Sequence, residues 1–307
     1  MKPMAEPDHR CGFVAVVGRP NVGKSTLVNA MVGQKLSITS NRPQTTRHRI
    51  LGIATGDASQ IVFVDTPGIH ARHRRALNRA MNRTASRALI GVDLVLMVVE
   101  ASGWVNDDDR VLARVGRVAR IGGEAAPLVL VLNKIDRVRR REAVLPVLAD
   151  TNRRYDFAAA VPVCARTGEN LERLREVVEA HLPAGPPAFP QDHFTDRSEA
   201  FLAAEIVREK LIRRLGQELP HRLTVEIERF VEVEGRTVIN ALVLVERNQH
   251  KAIVIGHGGG RLKQAGSAAR RDIARMLGRP IHLEVWVKVR EGWSDDEHAL
   301  RGLGLAE

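Results

Sequence analysis

The run Gly18-Arg-Pro-Asn-Val-Gly23-Lys24-Ser25 sets two glycines, a lysine and a hydroxyl at GxxxxGK[ST] spacing, between an apolar strand-like stretch and a helical one. In such a loop the backbone N–H groups turn inward and the following helix adds its positive end, which cradles polyphosphate. Lys24 is expected to reach the terminal phosphates and Ser25 to ligate Mg²⁺, with Gly18, Asn21, Val22, Gly23 and Thr26 completing the loop. Asp65-Thr-Pro-Gly68 follows at the end of an apolar run. Its aspartate can hold Mg²⁺ through water and the Gly68 N–H can meet a γ-phosphate. Alone, this tetrapeptide would be an ordinary turn; after a phosphate loop it is specific. Asn133-Lys134-Ile-Asp136 closes a third apolar run. A carboxylate there accepts both N1–H and the exocyclic amine of guanine, a donor pair that adenine lacks. Asp136 is therefore expected to choose the base, Asn133 to brace loops and Lys134 to lie along the purine face.

Together these motifs resemble the translation-factor-like GTPases. Cys164-Ala165-Arg-Thr-Gly168 stands as the fifth motif, with Cys164 where serine is usual and the Ala165 N–H expected near the guanine O6. Cys164 has no evident histidine partner that would make it a catalytic thiol. The polar loop Ser40-Asn-Arg-Pro-Gln44-Thr45-Thr46-Arg47 suits a switch that orders around a γ-phosphate and Mg²⁺. The resemblance favours Thr46 as the magnesium ligand; Gln44 and Thr45 can equally be plain loop polar groups. Ile69 stands where many regulatory GTPases carry a water-orienting glutamine, so intrinsic hydrolysis is expected to be slow. Asn21 occupies a place where some GTPases of this class ligate K⁺, and a K⁺-assisted mechanism is an expectation. Asn21, Lys24, Thr46 and Gly68 are the expected catalytic set; Ser25, Thr46 and Asp65 are the expected metal ligands.

A second chemistry begins at Gly256-His257-Gly258-Gly259, a GxxG loop followed by Lys263, Arg270 and Arg271 on a helical stretch. In KH domains such a loop lets phosphates approach main-chain N–H groups while single-stranded bases lie in an apolar groove. A glycine-rich helix cap is the alternative reading. Trp286, on the polar face of its strand, either stacks on RNA or covers apolar surface. Trp293 is expected to anchor the C-terminal tail. GRPNVGKS, PQTTR, DTPG and NKID, joined to VEIERF, AIVIGHGG and HLEVWVKVREGW, make the whole chain similar to Era-type GTPases with a C-terminal KH domain. That resemblance implies a GTP-controlled assembly factor binding near the 3′ end of small-subunit ribosomal RNA and maturing the 30S subunit. It also implies peripheral association with the inner membrane. DNA binding is not expected, and the chain is expected to act as a monomer.

Positioning this chemistry needs two domains, in keeping with 307 residues. Apolar runs at Cys11–Val17, Ile61–Asp65, Val92–Val99, Leu128–Leu132 and Ala159–Val163 alternate with helical spacing at Lys24–Val32, Ala76–Ile90, Asp107–Arg120, Glu142–Arg153 and Asn170–His181. The pattern predicts an α/β domain over 1–184, with a mostly parallel sheet covered by helices on both faces. Four prolines in 182–190 predict a stiff linker, placed at 185–190. A smaller α+β domain of type II KH pattern is expected over 191–307. Asp196 and Glu199 suggest a capping box for a helix through Leu215. Strands are expected at His221–Phe230 and Leu283–Val289, and Ile253–Ile255 reads as strand-like before the GxxG loop.

Composition bounds the rest. Two cysteines exclude a disulfide framework or zinc cluster, no apolar run is long enough to span a bilayer, and the start lacks the apolar core of a signal peptide. The chain reads as soluble and cytoplasmic. Its net charge is +11, with 39 arginines against 8 lysines. Residues 1–184 hold 28 Lys+Arg and 18 Asp+Glu, whereas 185–307 hold 19 and 18, so the basic excess lies on the nucleotide half. Arg72, Arg74, Arg75, Arg79, Arg83, Arg87, Arg137 and Arg139–Arg141 supply it. Solvated helix faces are one account, and a diffuse, salt-sensitive RNA contact is the other. A passive RNA chaperone with an inert nucleotide fold is a rival function. The intact set of Lys24, Ser25, Asp65 and Asp136 argues against it. A role in RNA modification lacks a second catalytic cluster.

Overall fold

The computed structural model describes residues 9–39, 45–68, 76–119, 126–138, 140–215 and 219–305. Ser40–Gln44, Ile69, Arg72, Arg74, Arg75, Arg139 and Gly216–Glu218 lie outside them, as does the side chain of Arg141. The chain forms two compact units. The first takes Met1–Ser37, Thr46–Arg72 and Met81–Asp196; the second takes Arg197–Glu307 together with Ile38–Thr45 and His73–Ala80.

The first unit is built on six strands: β1 (Arg10–Val17), β2 (Ile50–Thr55), β3 (Ser59–Asp65), β4 (Leu94–Glu100), β5 (Leu128–Asn133) and β6 (Ala159–Val163), in the order β2-β3-β1-β4-β5-β6. All neighbours are parallel except β2, which runs antiparallel to β3. Helices α1 (Lys24–Val32), α3 (Asn106–Ala119), α4 (Val144–Asn152) and α5 (Leu171–His181) accompany them, with α2 (Ala76–Arg87) from Met81 onward. Two apolar layers cover the sheet. One gathers Val14, Val16, Leu27, Leu96 and Leu174; the other gathers Ala15, Val17, Met97, Val111 and Leu130. Burial on both faces is why the central strands are continuous apolar runs without alternation.

The strand Ile50–Thr55 is absent from the sequence reading. It pairs from Ile50↔Asp65 to Thr55↔Gln60 and turns through Gly56, whose N–H donates to Ser59 O at 2.7 Å. The expected linker is held to the first unit. Ala188 N and Phe189 N both donate to Gln60 Oε1 (2.8 and 2.9 Å), and Gln60 Nε2 donates to Phe189 O.

In the second unit, α6 (Glu199–Arg214) and β7 (Leu223–Val233) precede β8 (Arg236–Val245), and then come α7 (Asn248–Ile255), α8 (Gly260–Leu277), β9 (Ile281–Val289) and α9 (Glu297–Gly302). β8 is the centre of the sheet, antiparallel to β7 and parallel to β9. Ile206, Leu211, Val243, Ala269 and Ile273 form the core, and Trp293 is fully buried. Two local expectations are corrected. The helix is capped by Ser198, whose Oγ accepts from Phe201 N at 3.2 Å, while Asp196 instead accepts from Leu51 N at 3.0 Å. Ile253–Ile255 is the end of helix α7, not a strand: one turn of apolar residues carries no period that separates the two.

Candidate nucleotide site and nucleic-acid interface

The phosphate loop is strained in the way a cradle requires. Gly18, Asn21 and Gly23 all have positive φ (153°, 67° and 103°). A Cβ on Gly23 would sit 2.3 Å from Asn133 Nδ2, and one on Gly18 would sit 2.5 Å from Val98 O. Helix α1 starts after Gly23 with no side chain capping it, so its first N–H groups are offered to a ligand. Lys24 is buried, and its Nζ donates to Gly18 O and Arg19 O, each at 3.0 Å. Burial lowers the Lys24 ammonium to about 8; Asp65 opposes this and Arg19 reinforces it.

Ser25 Oγ lies 2.7 Å from Thr46 Oγ1. Asp65 is wholly buried, and neither carboxylate oxygen has a hydrogen-bond partner of ordinary geometry among the described residues. Burial pushes its carboxyl above the usual range, against the pull of the neighbouring Ser37 and Ser25 hydroxyls and the Lys24 ammonium. Two adjacent hydroxyls and a buried carboxylate are hard oxygen donors, and this chemistry fits Mg²⁺. Gly68 lies against Pro20 of the phosphate loop: a Cβ on it would come within 3.1 Å of that residue.

Asn133 ties the base-side loops together. Its Nδ2 donates to Val22 O at 2.8 Å, and its Oδ1 accepts from Lys134 N (2.8 Å) and Ala165 N (3.0 Å). The Ala165 N–H, expected at the guanine O6, is thus bonded to Asn133, the nearest acceptor for a buried amide. Lys134, at φ 65°, donates from Nζ to Asn21 O at 2.6 Å and pairs with Glu100 at 3.1 Å. Asp136 accepts from Cys164 Sγ at 3.0 Å and from Arg166 Nη2 at 2.8 Å. Those two hydrogen bonds hold its carboxyl below the usual range, so it is an anion ready to accept.

In the second unit Gly256, Gly258 and Gly259 have positive φ (75°, 54° and 76°), which only glycine adopts readily. A Cβ on Gly256 would strike Arg261 Cβ at 2.7 Å. The loop opens helix α8 with no side-chain cap. A groove of ≈ 500 Å³ runs beside it, lined by Gly259, Leu262, Lys263, Gly266, Arg270 and Val285 among others. Lys263 and Arg270 therefore meet the loop in one place. His257 is exposed at the loop tip, and Arg271 is exposed but lies outside the groove. Trp286 is half-buried on β9.

A family model described as "50S ribosome-binding GTPase" matches residues 13–134, and a KH domain model matches residues 218–294. GTPase Era of Haemophilus influenzae is 50% identical over 298 residues, covering 97% of each chain. GTPase Era of Histophilus somni is 48% identical over 305 residues, covering 99% of this chain and all of the relative. The chain belongs to the Era family of GTPases. Two solved Era structures agree, each with TM-score 0.92, 36% identity and coverage of 97% of this chain and 100% of the other. One is an Aquifex aeolicus Era variant bound to GDP·AlF₄⁻; the other is Era in complex with MgGDPNP and nucleotides 1506–1542 of 16S ribosomal RNA.

Within this Era-family site, sequence reasoning missed a charged lattice under the base loop. Arg19 reaches Glu100 at 3.3 Å and Asp108 at 3.4 Å, and Glu100 also pairs with Lys134 and Arg137. Burial alone would raise the Glu100 carboxyl, but Lys134, Arg19 and Arg137 together hold it below the usual range. Arg166, the variable position of the fifth motif, is likewise engaged on Asp136. No local spacing marks these residues, because their partners come from separate loops.

Proposed function

We propose that this Era-family GTPase is a GTP-switched RNA-binding factor that engages the 3′ end of small-subunit ribosomal RNA during 30S maturation. The observation that carries this reading is the approach of Thr46, next to the switch loop, to Ser25 of the phosphate loop beside the buried carboxylate of Asp65. Ser25, Thr46 and Asp65 would hold Mg²⁺, which when bound offsets phosphate charge. Lys24, Gly68 and the α1 N-terminus supply fixed positive charge and N–H groups to the terminal phosphates. Gly18, Val22, Gly23 and Thr26 shape the loop around them. Asp136 selects guanine, with Asn133, Lys134, Cys164 and Ala165 fixing the walls around it. Asn21 contributes to K⁺ assistance.

The RNA role draws on the Era complex with 16S ribosomal RNA and on the groove between Gly259, Lys263 and Arg270. Gly256, His257 and Gly258 would take the backbone, while Arg271 adds charge at the margin. The chain works as a monomer, in the cytoplasm. Peripheral attachment to the inner membrane rests on the family resemblance, and flotation with anionic vesicles tests it. No described helix is long and apolar enough to cross a membrane.

Titration of an RNA oligonucleotide carrying the 16S 3′-terminal sequence, against a scrambled control, tests the function. K263E/R270E should weaken the specific complex at least about tenfold and flatten its salt dependence by about 0.7 per lost phosphate contact. Equal affinity for both RNAs would contradict the assignment.

A further inference from the structure

Helix α8 carries a glycine, Gly266, well inside Gly260–Leu277. Glycine weakens a helix relative to alanine, because it gives up more backbone freedom on folding. The fold does not require it here. Its φ is not positive, and a Cβ built on it would meet, beyond its own helix, only Val285 Cγ2 within 4 Å, at an ordinary 3.7 Å. Gly256 is the opposite case, since its φ of 75° and the 2.7 Å approach to Arg261 Cβ leave no alternative. What sets Gly266 apart is its place in the groove of the second unit. Lys263, Gly266 and Arg270 stand at i, i+3 and i+7, on one face of α8, and all three line the groove together with Leu283 and Val285 of β9. Lys263 and Arg270 are thus about 10 Å apart along the helix axis. Between them α8 presents to the groove only the bare main chain of Gly266 and the small side chain of Ser267.

We propose that Gly266 is a specificity-determining residue for RNA: its missing side chain leaves room on the groove floor for one unstacked nucleobase. The base rests on the Gly266 main chain and Val285, while Lys263 and Arg270 hold the phosphates on either side. A flat ring with apolar faces suits a floor of main chain and valine, and an anion on each side of it suits two cations so spaced; a nucleotide within a single strand has both features. A side chain at Gly266 would take the place of the ring and leave the phosphate contacts intact. Gly266 therefore governs which sequence is bound, and the two cations govern how tightly any RNA is held. The inference rests on the RNA reading of this groove.

Gly266→Ala adds one methyl group and Gly266→Leu fills the floor, and both residues are better helix formers than glycine. The full chain carrying G266A should melt about 2–4 °C above the wild type. Its affinity for the 16S 3′-terminal oligonucleotide should nevertheless fall about fivefold, and that of G266L about fiftyfold, the span that one base contact covers. Affinity for the scrambled RNA and the salt slope should keep their wild-type values, because no phosphate contact is lost. Gly116→Ala is the control: it makes the same exchange inside α3, where nothing lies within 4 Å of the new Cβ, and should leave both RNA affinities unchanged. Wild-type affinity for the 3′-terminal RNA in both Gly266 variants, with K263E/R270E still losing it, would overturn the inference alone. An equal loss for both RNAs would also overturn it, by making Gly266 a general contact and not a reader of sequence. Intact binding by K263E/R270E would overturn the RNA reading of the groove and this inference together.

Discussion

Ser25 and Thr46 meet hydroxyl to hydroxyl at 2.7 Å, although 21 residues separate them and they belong to a helix and a loop. The contact stands beside the buried Asp65 carboxylate. Thr46→Val keeps the shape and removes only the oxygen. GTP turnover should fall about 10²–10³-fold, the usual loss for one preorganised electrostatic contact. GDP affinity in EDTA should be unchanged. Steady-state phosphate release and equilibrium GDP titration check both halves.

Asp136 accepts two hydrogen bonds, from Cys164 and Arg166, and is held as an anion by them. Asp136→Asn replaces an acceptor by a donor at the position that would face the guanine N1–H and amine. GTP affinity should fall at least about 10²-fold, at roughly 1.5–3 kcal/mol per charge-assisted bond. Xanthosine triphosphate, which offers a carbonyl where guanine has its amine, should bind the variant better than GTP does. Competition titration of the two nucleotides reads the ratio directly.

Gly23 and Gly33 bracket α1 with the same sign of φ, yet they predict different outcomes. A Cβ at Gly23 collides with Asn133 Nδ2 at 2.3 Å, whereas nothing lies within 4 Å of one at Gly33. Gly23→Ala should abolish nucleotide binding, because it pushes away the side chain that joins the phosphate loop to the base loops. Gly33→Ala should cost only about 1 kcal/mol of stability, from its left-handed backbone, and leave GDP affinity intact. Thermal melts with and without GDP separate the two.

Asn21 sits at φ 67°, a left-handed conformation that asparagine adopts more readily than alanine. Asn21→Gly therefore removes the side chain without the strain. If K⁺ supplies charge there, wild-type turnover should be faster in KCl than in NaCl, and the difference should vanish in Asn21→Gly. Equal wild-type rates in the two salts would remove K⁺ from the mechanism.

Motifs that act through local spacing were legible in the sequence. GRPNVGKS, DTPG and NKID each require their residues in one turn, and the structure brings the first to the other two through Gly68–Pro20 and Asn133–Val22. Strand β2 was not legible, because it follows the polar switch and its burial comes wholly from tertiary packing. Ile253–Ile255 was ambiguous, since a three-residue apolar run fits a buried strand or a buried helix turn equally well. Asp196 looked like a cap, but Leu51 N recruits its carboxylate and leaves the capping to Ser198. Glu205, Arg208 and Glu209 were hidden for a related reason. Charges at helical spacing usually face solvent, and only their partners at Thr39 and Thr45 show that these are buried.

One titration reads the proposed coupling between nucleotide and RNA. The dissociation constant of the 16S 3′-terminal oligonucleotide is measured for the full chain loaded with GDP·Mg²⁺ or with a non-hydrolysable GTP analogue and Mg²⁺, at one fixed salt concentration. The switch predicts binding at least about five- to tenfold tighter with the analogue, within the usual range of allosteric coupling. Equal dissociation constants in the two states would contradict it.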